Sequence, residues 1–191
     1  MPRPQEIVIA MNKAVDEAGR DKRLRIRVTI DKSARPLAQA FPLDLMPSFP
    51  VRLVFDDRPT DYSDPFLRYK TTRRTVYDQT RERRGATLHP SDDDNAPPFD
   101  VIMYNERGQV TETTIANLGF KLRREDSVWS TPATECGLLQ GVQRAELLDT
   151  GMLVEAVVTV EDVHKACKDN TLQIICFNGV RGTFKAELIR S

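Results

Sequence analysis

Short stretches with the pattern of β-strands outnumber helical stretches along this chain, and turn residues separate them. Apolar residues alternate with polar ones over residues 24–30, as expected of a half-buried strand, and residues 31–36 supply the turn of a hairpin. Further strands are predicted at 36–43, 51–55, 99–104, 110–113, 120–122, 127–130, 153–159, 172–178 and 184–189. Helices are predicted at 5–18, at 70–84 with Val76 and Tyr77 facing inward, and at 141–150. Thr159 and Asp162 have the spacing of a capping box and predict the start of a further short helix. This mixed order indicates an α+β (mixed α/β) fold whose second half is barrel-like.

One stretch in the first third of the chain has the composition of a linker. Residues 56–65 are polar and contain prolines, so we expect a domain boundary near residue 60. The prediction is a small α/β domain at 1–60 and a larger barrel-like domain at 61–191. Residues 87–98 are acidic and rich in proline, and they are expected to form an exposed loop.

The composition argues against several classes of protein. Lys+Arg and Asp+Glu both number 28, so there is no net charge to favour nucleic acid or an anionic membrane. No apolar run approaches the roughly 20 residues of a membrane span, and the N-terminus does not resemble a signal peptide. The three cysteines are an odd number without CxxC spacing, which predicts reduced thiols in a cytoplasmic protein. His89 and His164 lack ligand spacing, so we predict no metal site.

Four segments carry the residues that suggest a function. They are YKTT at 69–72, NERGQVTETTIANLGF at 105–120, TPATECGLLQGVQR at 131–144 and FNGVRG at 177–182. In this order they resemble the fold-type-IV enzymes that use pyridoxal 5'-phosphate (PLP), namely class IV aminotransferases and aminodeoxychorismate lyases. The likeness is strongest to the lyase domain that some bacteria and fungi fuse to aminodeoxychorismate synthase, which also contains Lys-Thr-Thr-Arg-Arg. It covers residues 24–190.

The resemblance implies that Lys70 is the catalytic lysine that binds PLP covalently. Such a lysine needs partial burial and nearby positive charge, because its amine must lose a proton near neutral pH. Lys70 follows an apolar and aromatic stretch, and Arg68, Arg73 and Arg74 are close in sequence. Taken alone, the local sequence fits a solvated lysine at the end of a helix equally well.

The resemblance also implies that Glu112 faces the ring nitrogen of PLP and keeps it protonated. In the family this acid ends a Val-x-Glu strand after a Gly turn, with an Asn five residues further on. Val110, Glu112 and Asn117 reproduce that spacing after Gly108. We expect Asn117 to hold backbone and not to touch the cofactor. An exposed glutamate on a strand is the alternative interpretation of Glu112.

The third segment is typical of a phosphate cradle at the start of a helix, where free amides and the helix dipole favour an anion. By resemblance to Leu-Pro-Gly-(Ile/Val)-Thr-Arg, Leu139 packs on the PLP ring, and the amides of Val142 and Gln143 bind its phosphate. Gln143 replaces a Thr whose hydroxyl would add a hydrogen bond. In the fourth segment Gly179 keeps a phosphate-binding amide but replaces a Ser, so a second hydroxyl is missing. A glycine turn between closing strands is the alternative interpretation.

One element of the family pattern has no counterpart in this sequence. The family's phosphate-binding Arg lies on a segment of the small domain that precedes the resemblance, and Arg3, Arg20 and Arg23 do not match its motif. We therefore expect a truncated small domain, or a relative with weakened cofactor binding.

The resemblance implies a lyase that converts 4-amino-4-deoxychorismate into 4-aminobenzoate, a folate precursor, and pyruvate. A class IV aminotransferase acting on branched-chain or D-amino acids is the enzymatic alternative. A catalytically silent relative that binds a partner or another copy of itself is the non-enzymatic one. The family also implies a small amino substrate and a homodimer.

Overall fold

The computed structural model describes residues 1–189, which fold into two compact units, Met1–Leu45 and Met46 onward. The helices are α1 (Pro4–Ala18), α2 (Thr75–Arg84), α3 (Val142–Asp149) and α4 (Val160–Lys168). The strands are β1 (Leu24–Ile30), β2 (Pro36–Pro42), β3 (Val51–Phe55), β4 (Asp100–Tyr104), β5 (Val110–Thr113), β6 (Asn117–Lys121), β7 (Trp129–Pro132), β8 (Leu153–Ala156), β9 (Gln173–Asn178) and β10 (Gly182–Leu188). Of the helices in this part of the chain, none combines the length and apolar character needed to cross a bilayer.

The first unit is an antiparallel hairpin of β1 and β2 with α1 packed against it. The predicted alternation of β1 is present over residues 24–28, where the apolar residues are half-buried and Arg25 and Arg27 are exposed. It ends at Thr29, which is half-buried, and Ile30, which is exposed. The helix begins at a capping arrangement in which the Arg3 amide donates to Glu6 at 2.8 Å.

The second unit contains an eight-stranded sheet in the order β5-β4-β3-β10-β9-β6-β7-β8. Consecutive strands β5 and β6 lie far apart in this order, yet a tight turn joins them and the Thr113 amide donates to the Ala116 carbonyl at 2.8 Å. The sheet therefore curls into a half-barrel, which confirms the predicted mixed fold with a barrel-like second part.

The main core packs residues of this sheet together with α4. Its buried residues come from six strands and α4, which explains why those strands are apolar on their inner faces. They include Val51, Leu53, Phe99, Ile102, Val110, Leu118, Phe120, Val163, Ile174, Cys176 and Phe184. A smaller cluster of Tyr62, Leu67, Tyr77 and Met103 lies between α2 and β4.

The division between the units falls earlier than the predicted boundary near residue 60. Strand β3 pairs in parallel with both β10 and β4, so residues 51–55 belong to the sheet of the second unit. The predicted linker at 56–65 follows β3, and its Asp56 is buried against α2. A strand that pairs with distant parts of the chain carries no local sign of the unit to which it belongs.

The predicted helix at 70–84 begins later than expected, at Thr75. The hydroxyl of Thr71 accepts a hydrogen bond from the Arg73 amide at 3.2 Å, a local turn that competes with helical bonding. Lys70 consequently lies in a loop. Residues 87–98 contain neither helix nor strand, as predicted.

Candidate active site

The loop that carries Lys70 is anchored by α2, which is fixed at both ends. Near its C-terminal end, the guanidinium of Arg83 donates to the buried carboxylate of Asp56 at 2.7 and 3.0 Å. At its start, Arg74 donates to the Thr114 carbonyl at 2.6 Å and stacks over the Tyr77 ring at 4.7 Å. Lys70 therefore precedes a rigid helix held against β3 and the turn after β5.

Glu112 lies near the end of β5 and is only 4% exposed. The Tyr77 hydroxyl donates to its Oε1 at 2.8 Å, and the Leu139 amide donates to the same oxygen at 3.3 Å. Burial raises the pKa of Glu112 to about 8, although both hydrogen bonds act to lower it. Burial, together with the charge of Glu112, also raises the pKa of Tyr77, which keeps its hydroxyl protonated as the donor.

Lys70 and Glu112 share one electrostatic environment. Lys70 as a whole is exposed, but desolvation around its amine lowers the pKa of that amine, and the nearby charge of Arg74 lowers it further. The charge of Glu112 acts in the opposite direction on Lys70, and that of Lys70 lowers the pKa of Glu112. The chain thus brings together an amine that loses its proton more readily than usual and a buried acid that keeps its proton more readily than usual.

Leu139 and Gly141 connect this acid to the start of α3. The Leu139 amide binds Glu112, and its carbonyl accepts from Asn117 Nδ2 at 2.9 Å. The Gly141 amide donates to Asn117 Oδ1 at 3.2 Å. Asn117 therefore holds backbone, as expected from the sequence. A Cβ at Gly141 would lie 2.4 Å from Asn117 Oδ1, so only glycine fits this contact.

The two bonds of Asn117 to the Leu139 carbonyl and the Gly141 amide form a clamp, and helix α3 begins there. Gly141 is the N-cap of α3, and no side chain caps the amides of the helix. Val142 is 83% exposed, and Gln143 turns its amide group to Glu146 at 3.0 Å. The first turn thus presents backbone donors without a competing side-chain acceptor, which is the arrangement that binds anions at helix termini.

Gly179 lies in the exposed turn after β9. The preceding Asn178 donates to the Ile115 carbonyl at 3.2 Å, which ties this turn to the one between β5 and β6. Its Oδ1 accepts from the amides of Val180 and Arg181 at 3.0 and 2.8 Å. A Cβ at Gly179 would have no neighbour within 4 Å, so the space beside it is open.

Two contributors to this site were not identified from the sequence. Tyr77 was predicted only as an inward-facing residue of a helix, and its contact with Glu112 joins residues 35 positions apart. Arg144 is buried and bonded to the Pro132 carbonyl and Glu155. Arg144 lies three residues before the buried Leu147 and so on the same face of α3, and this spacing is the sequence signal that points to the burial of Arg144.

Comparison with known proteins agrees with this architecture. The sequence pattern of the amino-transferase class IV family matches residues 5–168. A Schizosaccharomyces pombe protein provisionally named aminodeoxychorismate lyase is 30% identical over 169 residues, 86% of this chain and 67% of that protein. The crystal structure of a provisionally assigned amino-acid aminotransferase from Mesorhizobium loti is 30% identical with a TM-score of 0.81, covering 98% of this chain and 83% of that one. A Brucella abortus aminotransferase bound to PLP shares the fold at 14% identity, with a TM-score of 0.63 over 93% of this chain and 64% of that one.

The half-barrel and the matched segments define a protein of the fold-type-IV class, whose cofactor is PLP. Within that class, the chain belongs to the class IV aminotransferase family, which includes aminodeoxychorismate lyase-like members.

The residues present fit this cofactor. Both hydrogen bonds described for Glu112 fall on Oε1, which leaves Oε2 for a cationic ring nitrogen. Glu112 has a pKa of about 8, so it holds its proton near neutral pH. A neighbouring cation would lower that pKa and ionise the acid. The uncapped amides at the start of α3 are suited to bind the phosphate. The open space at Gly179 leaves room for a phosphate beside the turn after β9.

Proposed function

We propose that the protein is a PLP-dependent lyase that converts 4-amino-4-deoxychorismate into 4-aminobenzoate and pyruvate. The observation that carries this proposal is the position of Lys70 in the loop before α2, together with the buried acid Glu112, which Tyr77 of that helix contacts at 2.8 Å. The charges of Lys70 and Glu112 act on each other's pKa. The Lys-Thr-Thr-Arg-Arg string at 70–74 and the likeness to the S. pombe protein favour the lyase reaction within the family.

In this proposal, the residues divide the work as follows. Lys70 would hold the cofactor through its amine, and that amine is the group of this chain that would carry a proton during the reaction. Glu112 holds the ring nitrogen in its protonated form, and Leu139 packs on the ring. The amides of Val142, Gln143 and Gly179 bind the phosphate. PLP supplies an electron sink for the reacting carbon when it is bound.

The reaction needs no second substrate. A proton leaves the ring carbon that bears the amine, the enolpyruvyl ether bond breaks, and the departing group becomes pyruvate by taking up a proton. Atoms and charge balance without an oxidant or reductant, so one proton-carrying amine is sufficient, and Lys70 supplies it.

Covalent trapping tests the role of Lys70. The purified protein is incubated with PLP, reduced with borohydride, digested and analysed by mass spectrometry. We expect the reduced adduct on the peptide that contains Lys70, and no adduct there in Lys70→Ala. The matched control is Lys185→Ala, which removes an exposed lysine of β10 and should leave labelling intact. A protein that takes up no PLP would instead support a catalytically silent relative.

A second candidate function is amino transfer, favoured by the likeness to the M. loti aminotransferase. The same preparation should be given aminodeoxychorismate in one assay, and branched-chain or D-amino acids with 2-oxoglutarate in another. Formation of 4-aminobenzoate supports the lyase, whereas glutamate formation without 4-aminobenzoate rejects it.

We further propose that the enzyme is a cytoplasmic homodimer acting on a small amino substrate, as the family resemblance implies. Sedimentation equilibrium checks the assembly. A single species at 21.7 kDa over the working concentration range would refute the dimer.

A further inference from the structure

An ion pair between the buried Arg144 and the more exposed Glu155 lies next to the proposed phosphate cradle. Arg144 occupies the first turn of α3 and is 3% exposed, next to the two residues whose amides we assign to phosphate. Its guanidinium donates to the Pro132 carbonyl at 2.9 Å and to Glu155 Oε1. Glu155 accepts in turn from the hydroxyl and amide of Thr134 at 2.7 and 3.1 Å.

Stability alone gives a weak reason for a charge in this place. Burying an arginine costs free energy that its ion pair recovers only in part, and an apolar residue of similar size often serves the fold as well. Within the described residues, Nε of Arg144 is buried without a hydrogen-bond partner, which adds to that cost. The first turn of a helix is also an unfavourable position for a cation, because the helix dipole is positive there.

The contacts of Arg144 have a geometric consequence that an apolar residue could not provide. A guanidinium is planar and directional, so bonds to β7 and β8 fix both the depth and the rotation of the first turn of α3. Glu155 and Thr134 extend this connection to the segment before Leu139. Arg144 therefore links the start of α3 to β7 and β8, and Asn117 links the residues just before it to β6.

We propose that Arg144 is a positioning residue for anion binding: its bonds to Pro132 and Glu155 hold the amides of Val142 and Gln143 in the orientation that receives the cofactor phosphate. This inference rests on the proposed function, because it assumes that α3 binds the phosphate of PLP. It predicts that weakening the bonds of Arg144 affects the phosphate and leaves the ring of the cofactor unaffected.

The test compares PLP with pyridoxal, which has the same ring but no phosphate. Cofactor-free wild type, Arg144→Lys and Glu155→Gln are titrated with each compound and followed by absorbance. We expect each variant to bind PLP roughly tenfold more weakly, the scale of one weakened charged hydrogen bond, with pyridoxal affinity unchanged. Arg123→Lys, which makes the same substitution at an exposed arginine paired with Asp126, should alter neither affinity.

Three results separate the possible failures. If the variants lose affinity for PLP and pyridoxal equally, or only unfold at lower temperature, Arg144 is structural and the inference fails. If the wild type binds neither PLP nor pyridoxal, the proposed function fails, and the inference about Arg144 fails with the proposed function. Because the Glu155 side chain is 42% exposed, Glu155→Gln keeps the test informative even where Arg144→Lys does not fold.

Discussion

Restoring a hydroxyl at residue 179 should strengthen cofactor binding. By the sequence resemblance, Gly179 stands where fused lyases carry a serine, and the structure has open space for a side chain there. A Cβ there has no neighbour within 4 Å, and Gly179 does not have a positive φ, so a side chain causes no backbone strain. The turn is already held by Asn178, whose Oδ1 accepts two backbone amides, so the backbone need not move.

The size of the effect follows from one added hydrogen bond to a dianion. Such a bond contributes about 1.5–3 kcal/mol, and ordering the new side chain offsets a part of it. We therefore expect Gly179→Ser to improve PLP binding by about 1–2 kcal/mol, a factor of roughly 5–30 in the dissociation constant.

The assay is an absorbance titration of the cofactor-free protein with PLP and with pyridoxal, and Gly179→Ala is the matched control. The alanine variant shares any effect of a Cβ on the turn but lacks the hydroxyl. The reasoning is refuted if serine and alanine give the same affinity, or if serine improves pyridoxal binding as much as PLP binding.

Two further substitutions test the acid and the clamp. Because the pKa of Glu112 rises from its ordinary 4.5 to about 8, the cofactor-free folded state holds a proton that the unfolded chain releases, and its unfolding free energy should fall as pH rises across that window. Glu112 contributes at most about 1.4 kcal/mol per pH unit to the slope in urea unfolding, and Glu112→Gln should remove that contribution, whereas the exposed control Glu125→Gln should keep it. Gly141→Ala places a Cβ 2.4 Å from Asn117 Oδ1 and should lower the unfolding free energy by about 1–3 kcal/mol, whereas Gly179→Ala should change it little. Equal stabilities for the two alanine variants would contradict the described clamp.

Local sequence signals predicted the parts of the fold that local interactions determine. Thr159 and Asp162 were read as a capping box, and the structure has both reciprocal bonds, Asp162 N to Thr159 Oγ1 at 3.1 Å and Thr159 N to Asp162 Oδ2 at 2.9 Å. The alternation of apolar and polar residues in β1 likewise predicted that one face of this strand is half-buried. The start of α2 was missed because a single hydroxyl, that of Thr71, favours a turn where helix propensity alone predicts a helix.

What the sequence could not supply was the pairing of distant groups. Motif spacing selected Lys70 and Glu112, but nothing near either residue indicates that Tyr77 donates to the acid. The membership of β3 in the larger sheet depends on pairing with β10 and β4, far along the chain. Such contacts are decided by the closure of the whole sheet, which no short window of sequence contains.

The short segment from Leu139 to Gly141 acts as a spacer of fixed length. Its two ends are fastened to Glu112 and Asn117, so the acid and the helix start cannot change their separation independently. A ligand that satisfies both must carry a basic ring atom and an anionic group at one set interval, and a compound with a longer or shorter arm reaches only one of them. In the proposed site, selection among vitamin B6 derivatives is therefore a matter of molecular length as well as charge.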